Sequence, residues 1–358
     1  MMDLDKRIAA LTTLGEILAT CNLQPDTISV KPNNLLYHSE KLNKAITAAI
    51  YNNPWFIERN VRYAINAIGR TLTRKGIINW LSKYEPELVK TRKPVNVGVV
   101  MAGNIPLAGF HDFLCVLMTG NRFIGRSSTD DRVLLPSIAE ILVDIEPAFK
   151  DSIVFTEERL KGFDAVIATG SNNTSRYFEY YFGKYPSIIR RNRSGVAVLT
   201  GKENDDDLKA LADDIFIHFG LGCRNVAKVF LPSGISPDYI FPGMEEYRFV
   251  ADHNKYRNNY DYYKSVFIIN GINHYDNGFL MLTANDSFSS PISVVYYEHY
   301  SDLLQLNDRL KTNSGIIQCV VSKSIDIQNS IPLGTAQQPD LSDYADGVDT
   351  IKFLLELG

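Results

Sequence analysis

Cysteine is scarce in this sequence: the 358 residues include four, at long spacings and without a CxxC pair. This pattern indicates neither a zinc ribbon nor a disulfide framework, and reduced thiols in the cytoplasm are the natural interpretation. Long hydrophobic runs are missing as well, since no stretch approaches about 18 consecutive apolar residues, and we expect no integral membrane segment. The acidic, amphipathic start lacks the pattern of a secretion signal.

An excess of basic residues is also missing. Lys and Arg number 37 and Asp and Glu number 41, which gives a formal net charge of −4. Nucleic-acid binding needs a broad basic field, so we expect no nucleic-acid partner. Apolar residues make up 45% and charged residues 22%, which is ordinary globular usage and excludes a disordered, collagenous or coiled-coil protein. The length predicts two or three domains.

Helical periodicity dominates residues 1–90, where apolar residues such as Leu42 and Ile46 recur on one face. Beyond them, four short apolar runs alternate with predicted helices, at 95–102, 122–125, 152–155 and 164–168. Such strands are typical of a parallel sheet covered on both faces. These sheets bind ligands beyond the carboxyl ends of their strands, where the loops at Asn104, Arg126–Ser128 and Thr169–Ser171 follow. We therefore expect a nucleotide at these loops.

A second unit begins near Val196. The spacing predicts a helix over 206–219, and a Gly-rich turn then leads into a strand over 225–231. The Tyr- and Asn-rich stretch 238–286 is weakly periodic, so we expect surface loops and one or two strands, such as Ser265–Ile269. Further strands at 292–297 and 316–321, with a helix at about 301–311, complete the unit.

Cys223 is the most informative single residue. It follows two glycines within four positions, between a predicted helix and a predicted strand. That places a small nucleophile on a tight turn, and Arg224 beside it favours the reactive thiolate. The competing interpretation is a small buried hydrophobe, which fits Cys21, Cys115 and Cys319 because each lies in an apolar periodic stretch.

Asn104 is the second candidate, in the loop Gly103-Asn104-Ile105-Pro106 after a predicted strand. An uncharged amide there can donate a hydrogen bond without titrating, which suits an oxyanion hole. The alternative is ordinary turn chemistry, to which Gly-Asn before Ile-Pro is equally well suited.

The order of several short motifs identifies a family. A strand ends in a small-residue–Asn–x–Pro loop, and an apolar helix, Gly120–Ser128, Ala168–Ser171 and Gly222-Cys223 follow in turn. This order resembles the aldehyde dehydrogenase superfamily, and within it the acyl-CoA reductases, the branch that includes the fatty acyl-CoA reductase of bacterial luminescence. The resemblance covers roughly residues 90–330, and the ending PLGTAQQPDLSDYADGVDTIKFLLEL is also similar to that branch.

This resemblance implies an α/β fold of the aldehyde dehydrogenase type, with a Rossmann-like cofactor domain and an α/β catalytic domain. We then expect residues 1–195 to hold a helical N-terminal region and the nicotinamide-cofactor-binding domain. Residues 196–333 would form the catalytic domain with the nucleophilic cysteine. Residues 334–358 would form a C-terminal tail that returns to the cofactor domain or to an oligomer interface.

Residue by residue, the resemblance makes Cys223 the nucleophile and Asn104 the side-chain oxyanion donor, with the Cys223 N–H as the second donor. Arg126 falls where many relatives have a lysine that touches the adenine ribose. Because an arginine fork also suits a 2′-phosphate, it favours NADPH over NADH. Ser128 belongs to the same cofactor loop. Relatives pass the pyrophosphate at a helix N-terminus, and the residues there are Thr169, Gly170 and Ser171.

Two departures from the family pattern matter for the chemistry. Aldehyde-oxidising relatives carry a glutamate upstream of the nucleophile, whereas residues 186–202 contain no carboxylate. Without this general base, hydrolysis of an acyl-enzyme should be slow, which favours exchange of the acyl group with a thiol. The Glu-x-Phe-Gly-Pro motif that holds the nicotinamide ribose reads Asp286-Ser287-Phe288-Ser289-Ser290-Pro291, with one extra residue, so Asp286 is the candidate substitute.

The resemblance thus implies NADPH-dependent reduction of an acyl thioester, of the fatty type, to an aldehyde through an acyl-cysteine. The donor is acyl-CoA or an acyl carrier protein thioester, and both a homo-oligomer and a partner enzyme that supplies the acyl group stay open. Two alternatives remain: a cysteine-dependent acyltransferase or thioesterase without hydride transfer, and a non-catalytic scaffold subunit.

Two further groups have competing interpretations. Arg190, Arg191 and Arg193 either steer a phosphate of coenzyme A or of the cofactor, or form a solvated basic loop. His218, five residues before Cys223, is interpreted as structural. The other histidines show no metal-ligand spacing, so we expect no metal.

Overall fold

Two compact units make up the structure. The computed structural model describes residues 2–22, 33–90 and 92–357. The first unit is Met1–Arg191 together with Asp340–Gly358, and the second is Asn192–Pro339. The expected domain limits after residues 195 and 333 lie a few residues from these limits. None of the helices in the described ranges is long and apolar enough to cross a membrane.

The N-terminal part of the first unit is helical, as its periodicity predicts. Its helices are α1 (Leu4–Ala19), α2 (Asn33–Asn52), α3 (Glu58–Thr71), α4 (Arg74–Leu81) and α5 (Glu85–Leu88). Asp3 caps α1, since its carboxylate accepts from the backbone N–H of Asp5 at 2.8 Å. The apolar face of α1 is buried in the core of the unit, through Ile8, Leu11, Leu14 and Leu18.

A five-stranded parallel sheet forms the rest of this unit, in the order β3-β2-β1-β4-β5. Its elements are β1 (Asn96–Val100), α6 (Phe110–Met118), β2 (Arg122–Arg126), α7 (Leu134–Ile145), β3 (Ile153–Thr156), β4 (Ala165–Thr169), α8 (Asn172–Phe182) and β5 (Ser187–Arg190). The four predicted strands are confirmed, and β5 adds a fifth. The order reverses at β1, which pairs with β2 on one side and β4 on the other. Open sheets of this kind form their ligand crevice at such a reversal.

The second unit is built on a six-stranded sheet in the order β11-β6-β7-β10-β9-β8. Its elements are β6 (Ser194–Val198), α9 (Asp205–Phe216), β7 (Val226–Pro232), α10 (Phe241–Met244), α11 (Asn254–Ile269), β8 (His274–Asp276), β9 (Met281–Ala284), β10 (Val294–Tyr300), α12 (Leu303–Thr312) and β11 (Ile317–Ser322). All neighbours are parallel except β8, which runs antiparallel to β9. The last helix, α13 (Thr350–Leu355), belongs to the first unit.

One predicted strand is wrong. Ser265–Ile269 is the last part of helix α11, which starts at Asn254. The apolar residues Val266, Phe267 and Ile268 suggest a strand locally, but the buried side chains of the helix, Tyr256, Tyr260 and Phe267, repeat at helical spacing. Packing of this face overrides the local β propensity.

Arg190 fits neither interpretation of the arginine cluster, because it is used inside the first unit. Arg190 is buried and forms an ion pair with Asp112, which is buried as well, and its Nη2 donates to the Thr350 hydroxyl at 3.1 Å. Arg191 is exposed and pairs with Glu179 on the surface. The Arg190 pair thus anchors β5 to α6 and to the C-terminal segment inside the first unit.

Replacing Asp112 by Ala leaves the Arg190 guanidinium buried without its carboxylate. We expect D112A to lower the free energy of unfolding by about 3–5 kcal/mol, because an uncompensated buried charge is costly. Both tryptophans, Trp55 and Trp80, lie in the first unit, so urea unfolding followed by tryptophan fluorescence reports on this unit.

The matched control is Arg191→Ala, which removes the exposed pair with Glu179. Exposed pairs contribute little, so R191A should cost no more than about 1 kcal/mol. Equal losses in D112A and R191A would contradict the assignment of Arg190 as an anchor.

Candidate active site

The predicted cofactor residues of the first unit share one edge of its sheet. Arg126 ends β2 and Ser128 follows two residues later, whereas Thr169 ends β4 and Gly170 and Ser171 come next. Asn104 lies in the loop after β1. Because these strands are parallel, all of these residues lie at the carboxyl edge, on both sides of the strand-order reversal.

Glycine at 103 brings the loops after β1 and β2 into direct contact. A Cβ at this position would lie 2.6 Å from both Cβ and Oγ of Ser128, so a side chain does not fit without movement. Ser128 Oγ in turn accepts from the backbone N–H of Asp130 at 3.2 Å. Asn104, the next residue, is exposed.

Helix α8 starts at the same edge. Ser171 caps it, with its hydroxyl accepting from the backbone N–H of Thr174 at 3.2 Å. A Cβ on Gly170 would lie 2.9 Å from a ring carbon of Phe178, so the backbone approaches the helix closely. The positive end of the helix dipole therefore points to the carboxyl edge, where it favours an anionic group such as a phosphate.

Cys223 is exposed on a tight turn between α9 and β7. The turn is closed from both sides by Asn225, whose Oδ1 accepts from the Gly222 N–H at 2.8 Å and whose N–H donates to the Gly222 carbonyl at 3.1 Å. The exposed thiol rules out the buried-hydrophobe interpretation for this cysteine. Cys21 and Cys115 are buried as expected, whereas Cys319 is partly exposed.

The side-chain amide of Asn225 also holds the end of α9. Its Nδ2 donates to the carbonyls of Asp214, Ile215 and Ile217 at 2.8–3.2 Å. The predicted helix over 206–219 ends early, at Phe216, because His218 and Phe219 both have a left-handed backbone (φ 58°). Asn225 satisfies carbonyls that this early ending leaves without helical partners. Sequence reasoning missed this residue, and an Asn at the start of a buried strand is the signal that points to it.

His218 is buried, and burial lowers its pKa to about 4. The imidazole is therefore neutral at physiological pH. Its burial and its place in the strained turn agree with the structural interpretation.

Asp286 does not join the cysteine turn. It follows the carboxyl end of β9, whereas Cys223 precedes the amino end of β7, and the two strands run in the same direction through β10. Asp286 and Cys223 therefore lie at opposite edges of the second sheet. Ser290 and Pro291, later in the same connection, line a small cavity of about 30 Å³ together with Gly220. The role of Asp286 as a ligand of the nicotinamide ribose stays a prediction.

Glu203, the first carboxylate after the acid-free stretch 186–202, is occupied by structural contacts. It is buried and accepts from the backbone N–H groups of Thr200 at 2.7 Å and Gly201 at 3.0 Å. Tyr239 donates to its backbone carbonyl at 2.7 Å. These contacts fix a turn and leave Glu203 poorly suited to act as a general base.

A buried carboxylate and Arg224 hold one loop beside the cysteine turn. Asp214 accepts from the backbone N–H groups of Gly334 at 2.7 Å and Ala336 at 2.9 Å. Arg224 Nε donates to the carbonyl of Ala336. Burial raises the pKa of Asp214 to about 7, against the opposing effect of these two N–H groups.

Solved aldehyde dehydrogenases share this fold. Aldehyde dehydrogenase 21 from Physcomitrella patens, in complex with the product succinate, has a TM-score of 0.65 at 12% identity, over 99% of this chain and 84% of its own. A NAD-dependent benzaldehyde dehydrogenase from Corynebacterium glutamicum has a TM-score of 0.62 at 11% identity, over 94% and 84%. An indole-3-acetaldehyde dehydrogenase mutant from P. syringae, in complex with NAD+, has 0.62 at 11%, over 92% and 74%. The predicted α/β fold of the aldehyde dehydrogenase type is confirmed.

The sequence identifies the family within the aldehyde dehydrogenase fold. The family model of the acyl-CoA reductases (LuxC) matches residues 20–238, which is more than half of the chain and includes both Asn104 and Cys223. The chain therefore belongs to the acyl-CoA reductase (LuxC) family, and the resemblance to that branch is confirmed. A comparison with curated protein sequences gives no significant match.

The raised pKa of Asp214 predicts a pH-dependent stability. Between the unfolded pKa, about 4, and the folded pKa, about 7, the folded protein holds an extra proton. The contribution of Asp214 to stability is therefore greatest below about pH 4 and falls as the pH rises to 7. The free energy of unfolding of the wild type, measured against Asp214→Asn, should drop by about 2 kcal/mol between pH 5 and 7.

Urea unfolding followed by circular dichroism at several pH values measures this difference. Asp206→Asn is the control, because Asp206 is an exposed residue on the same helix. A wild-type–D214N difference that is flat from pH 5 to 8 would contradict the raised pKa.

Proposed function

We propose that this protein reduces acyl-CoA thioesters of the fatty type to aldehydes with NADPH, through an acyl-cysteine at Cys223. The observation that carries the proposal is the exposed Cys223 thiol on a turn fixed by Asn225, in a member of the acyl-CoA reductase (LuxC) family. An acyl carrier protein thioester is an equivalent donor in this chemistry. None of the four cysteines forms a disulfide in the described structure, in keeping with a reducing cytoplasmic setting.

The carboxyl edge of the first sheet fits a nicotinamide dinucleotide. The N-terminus of α8 after Gly170 suits the pyrophosphate, and the exposed Arg126 suits a 2′-phosphate. The P. syringae relative of this fold was solved with NAD+. Such a cofactor supplies the hydride when it is bound. We assign its binding to Arg126, Ser128, Thr169, Gly170 and Ser171.

The protein residues perform the acyl transfer. The Cys223 thiolate forms a bond to the thioester carbonyl carbon, and the carbonyl oxygen becomes an oxyanion that accepts from the Asn104 amide and the Cys223 N–H. The loss of one such donor costs about 3 kcal/mol of barrier. The C–S bond to coenzyme A then breaks and coenzyme A leaves as a thiolate. Because one thiol replaces another, the exchange needs little acid catalysis.

The segment where aldehyde-oxidising relatives carry a general base offers none in this chain. Residues 186–202 contain no carboxylate, and Glu203 is bound by backbone N–H groups. A general base contributes about 10²–10⁴-fold to such a step, so hydrolysis to a free acid should be slow. This favours reduction over hydrolysis as the fate of the acyl group.

The direct test follows the absorbance of NADPH with a panel of acyl-CoA thioesters of increasing chain length. We expect acyl-CoA-dependent oxidation of NADPH in the wild type and none in Cys223→Ala, because the nucleophile is gone. Cys319→Ala is the matched control, since Cys319 is a partly exposed thiol of the same unit, and it should keep the activity.

Intact-protein mass spectrometry separates the alternatives. An acyl mass at Cys223 without any use of NADPH or NADH would identify an acyl-transfer enzyme instead. Neither turnover nor an acyl adduct would argue for a non-catalytic scaffold.

Arg126 provides a test of the cofactor preference. Arg126→Ala should lower kcat/KM for NADPH by about 10–100-fold and that for NADH far less, because only NADPH offers a phosphate to the guanidinium fork. Arg122→Ala is the matched control, because Arg122 is also exposed and starts the same strand, at the opposite edge of the sheet. If R126A lowers kcat/KM equally for NADPH and NADH, Arg126 does not bind the 2′-phosphate.

A further inference from the structure

Asp131 is a buried carboxylate in the loop between β2 and α7 that the proposed mechanism does not use. Its Oδ2 accepts from the backbone N–H of Leu107 at 2.8 Å, across 24 positions of sequence. Its Oδ1 has no hydrogen-bond partner among the described residues. A buried carboxylate that backbone N–H groups satisfy only in part is costly to keep, which points to a role beyond packing.

The contact holds the chain where its backbone is strained. Leu107 has a left-handed conformation (φ 60°), which is unfavourable for a residue with a Cβ. Its carbonyl accepts from the Phe110 N–H at 2.9 Å, so the strained residue leads directly into helix α6. Without Asp131, the buried N–H of Leu107 would have no such acceptor. The carboxylate therefore stabilises the left-handed conformation of Leu107.

The other side of the same loop is held as well. The side-chain amide of Asn53, a buried residue at the end of the α2 region, donates to the Gly103 carbonyl at 3.4 Å. The backbone N–H of Met101 donates to the Arg126 carbonyl at 3.1 Å. The exposed Asn104 therefore lies between two held positions, Gly103 and Leu107.

We propose that Asp131 is a positioning residue that fixes the Asn104 amide for the oxyanion and ties it to the cofactor loop through Ser128. This inference rests on the proposed function. Ser128 and Asp131 are part of one short turn, since the Asp131 N–H donates to the Ser128 carbonyl at 3.3 Å. Ser128 also touches Gly103, so the loop that carries Asn104 and the loop assigned to the cofactor form one connected arrangement.

Asp131 is charged under working conditions. Burial raises its pKa to about 6, and the backbone N–H groups of Leu107 and Leu134 oppose this effect. At neutral pH the carboxylate is therefore ionised, and its hydrogen bond to Leu107 is charge-assisted and strong. Replacement by an amide keeps the shape and an acceptor but removes the charge.

A double-mutant cycle tests the role. The rate of Cys223 acylation is measured from the release of coenzyme A in a single turnover, without NADPH. We expect Asp131→Ala to slow acylation by about 10–100-fold with little change in KM for the thioester, and Asp131→Asn to give an intermediate loss, because a displaced oxyanion donor affects the transition state. In an Asn104→Ala background the same D131A change should cost less than about twofold.

Hydrogen exchange measures the contact without any need for activity. In Asp131→Asn, which preserves the size of the side chain, peptides covering 103–110 should exchange faster, while those of the second unit stay unchanged. Asp130→Asn is the matched control, because Asp130 is the exposed neighbour in the same turn. It should leave both exchange and acylation at wild-type values.

The outcomes are distinguishable. Equal slowing by D131A with and without Asn104 would overturn the positioning role, because Asp131 would then act independently of the amide. Unchanged hydrogen exchange of residues 103–110 in D131N would show that Asp131 does not stabilise this loop. In a third outcome, the wild type neither becomes acylated nor oxidises NADPH while hydrogen exchange is altered in D131N. That result would overturn the proposed function, and the contact between Asp131 and Leu107 would then have no catalytic role.

Discussion

Strand β1 lies in the middle of the first sheet, hydrogen-bonded to β2 on one side and to β4 on the other. Both neighbours run parallel to it, so three successive carboxyl ends meet at one edge. The chain leaves β1 toward α6 and β4 toward α8, and open sheets of this kind bind ligands between such loops. The positions of Asn104, Arg126 and Ser171 all depend on this arrangement, since each follows or ends one of these strands.

Buried polar side chains help to fix the loops that carry the candidate reactive groups. Asn225 uses both ends of its amide, one on the Gly222 turn and one on the carbonyls at the end of α9. Asp131 holds Leu107 through one oxygen, Oδ2, which accepts from the Leu107 N–H. In both places the neighbouring backbone is left-handed at residues with a Cβ. Such conformations cost about 1–3 kcal/mol each and persist only where the surroundings determine them. The hydrogen bonds of Asn225 and Asp131 help to hold the neighbouring backbone in these conformations.

Much of the fold could be predicted from the sequence because the hydrophobic pattern of neighbouring residues determines where strands and helices form. Apolar runs mark the strands of both sheets, and the loops after β1, β2 and β4 follow directly from them. The contacts that hold the site could not be predicted in this way. Asp131 and Leu107 lie 24 positions apart, and Asp214 and Gly334 lie 120 apart, so only the fold brings them together.

Two buried carboxylates of the second unit that precede the cysteine turn in sequence, Glu203 and Asp214, are used for structure. Glu203 closes the turn after β6, and Asp214 holds the loop at Gly334 with two backbone N–H groups. A carboxylate that accepts backbone N–H bonds loses basicity through them, and burial at Asp214 offsets this loss by favouring the neutral acid. Both carboxylates are therefore committed to backbone contacts. Under the proposed function, an acyl-cysteine at Cys223 would persist until a nucleophile stronger than unassisted water reaches it, which is the condition that reduction by hydride requires.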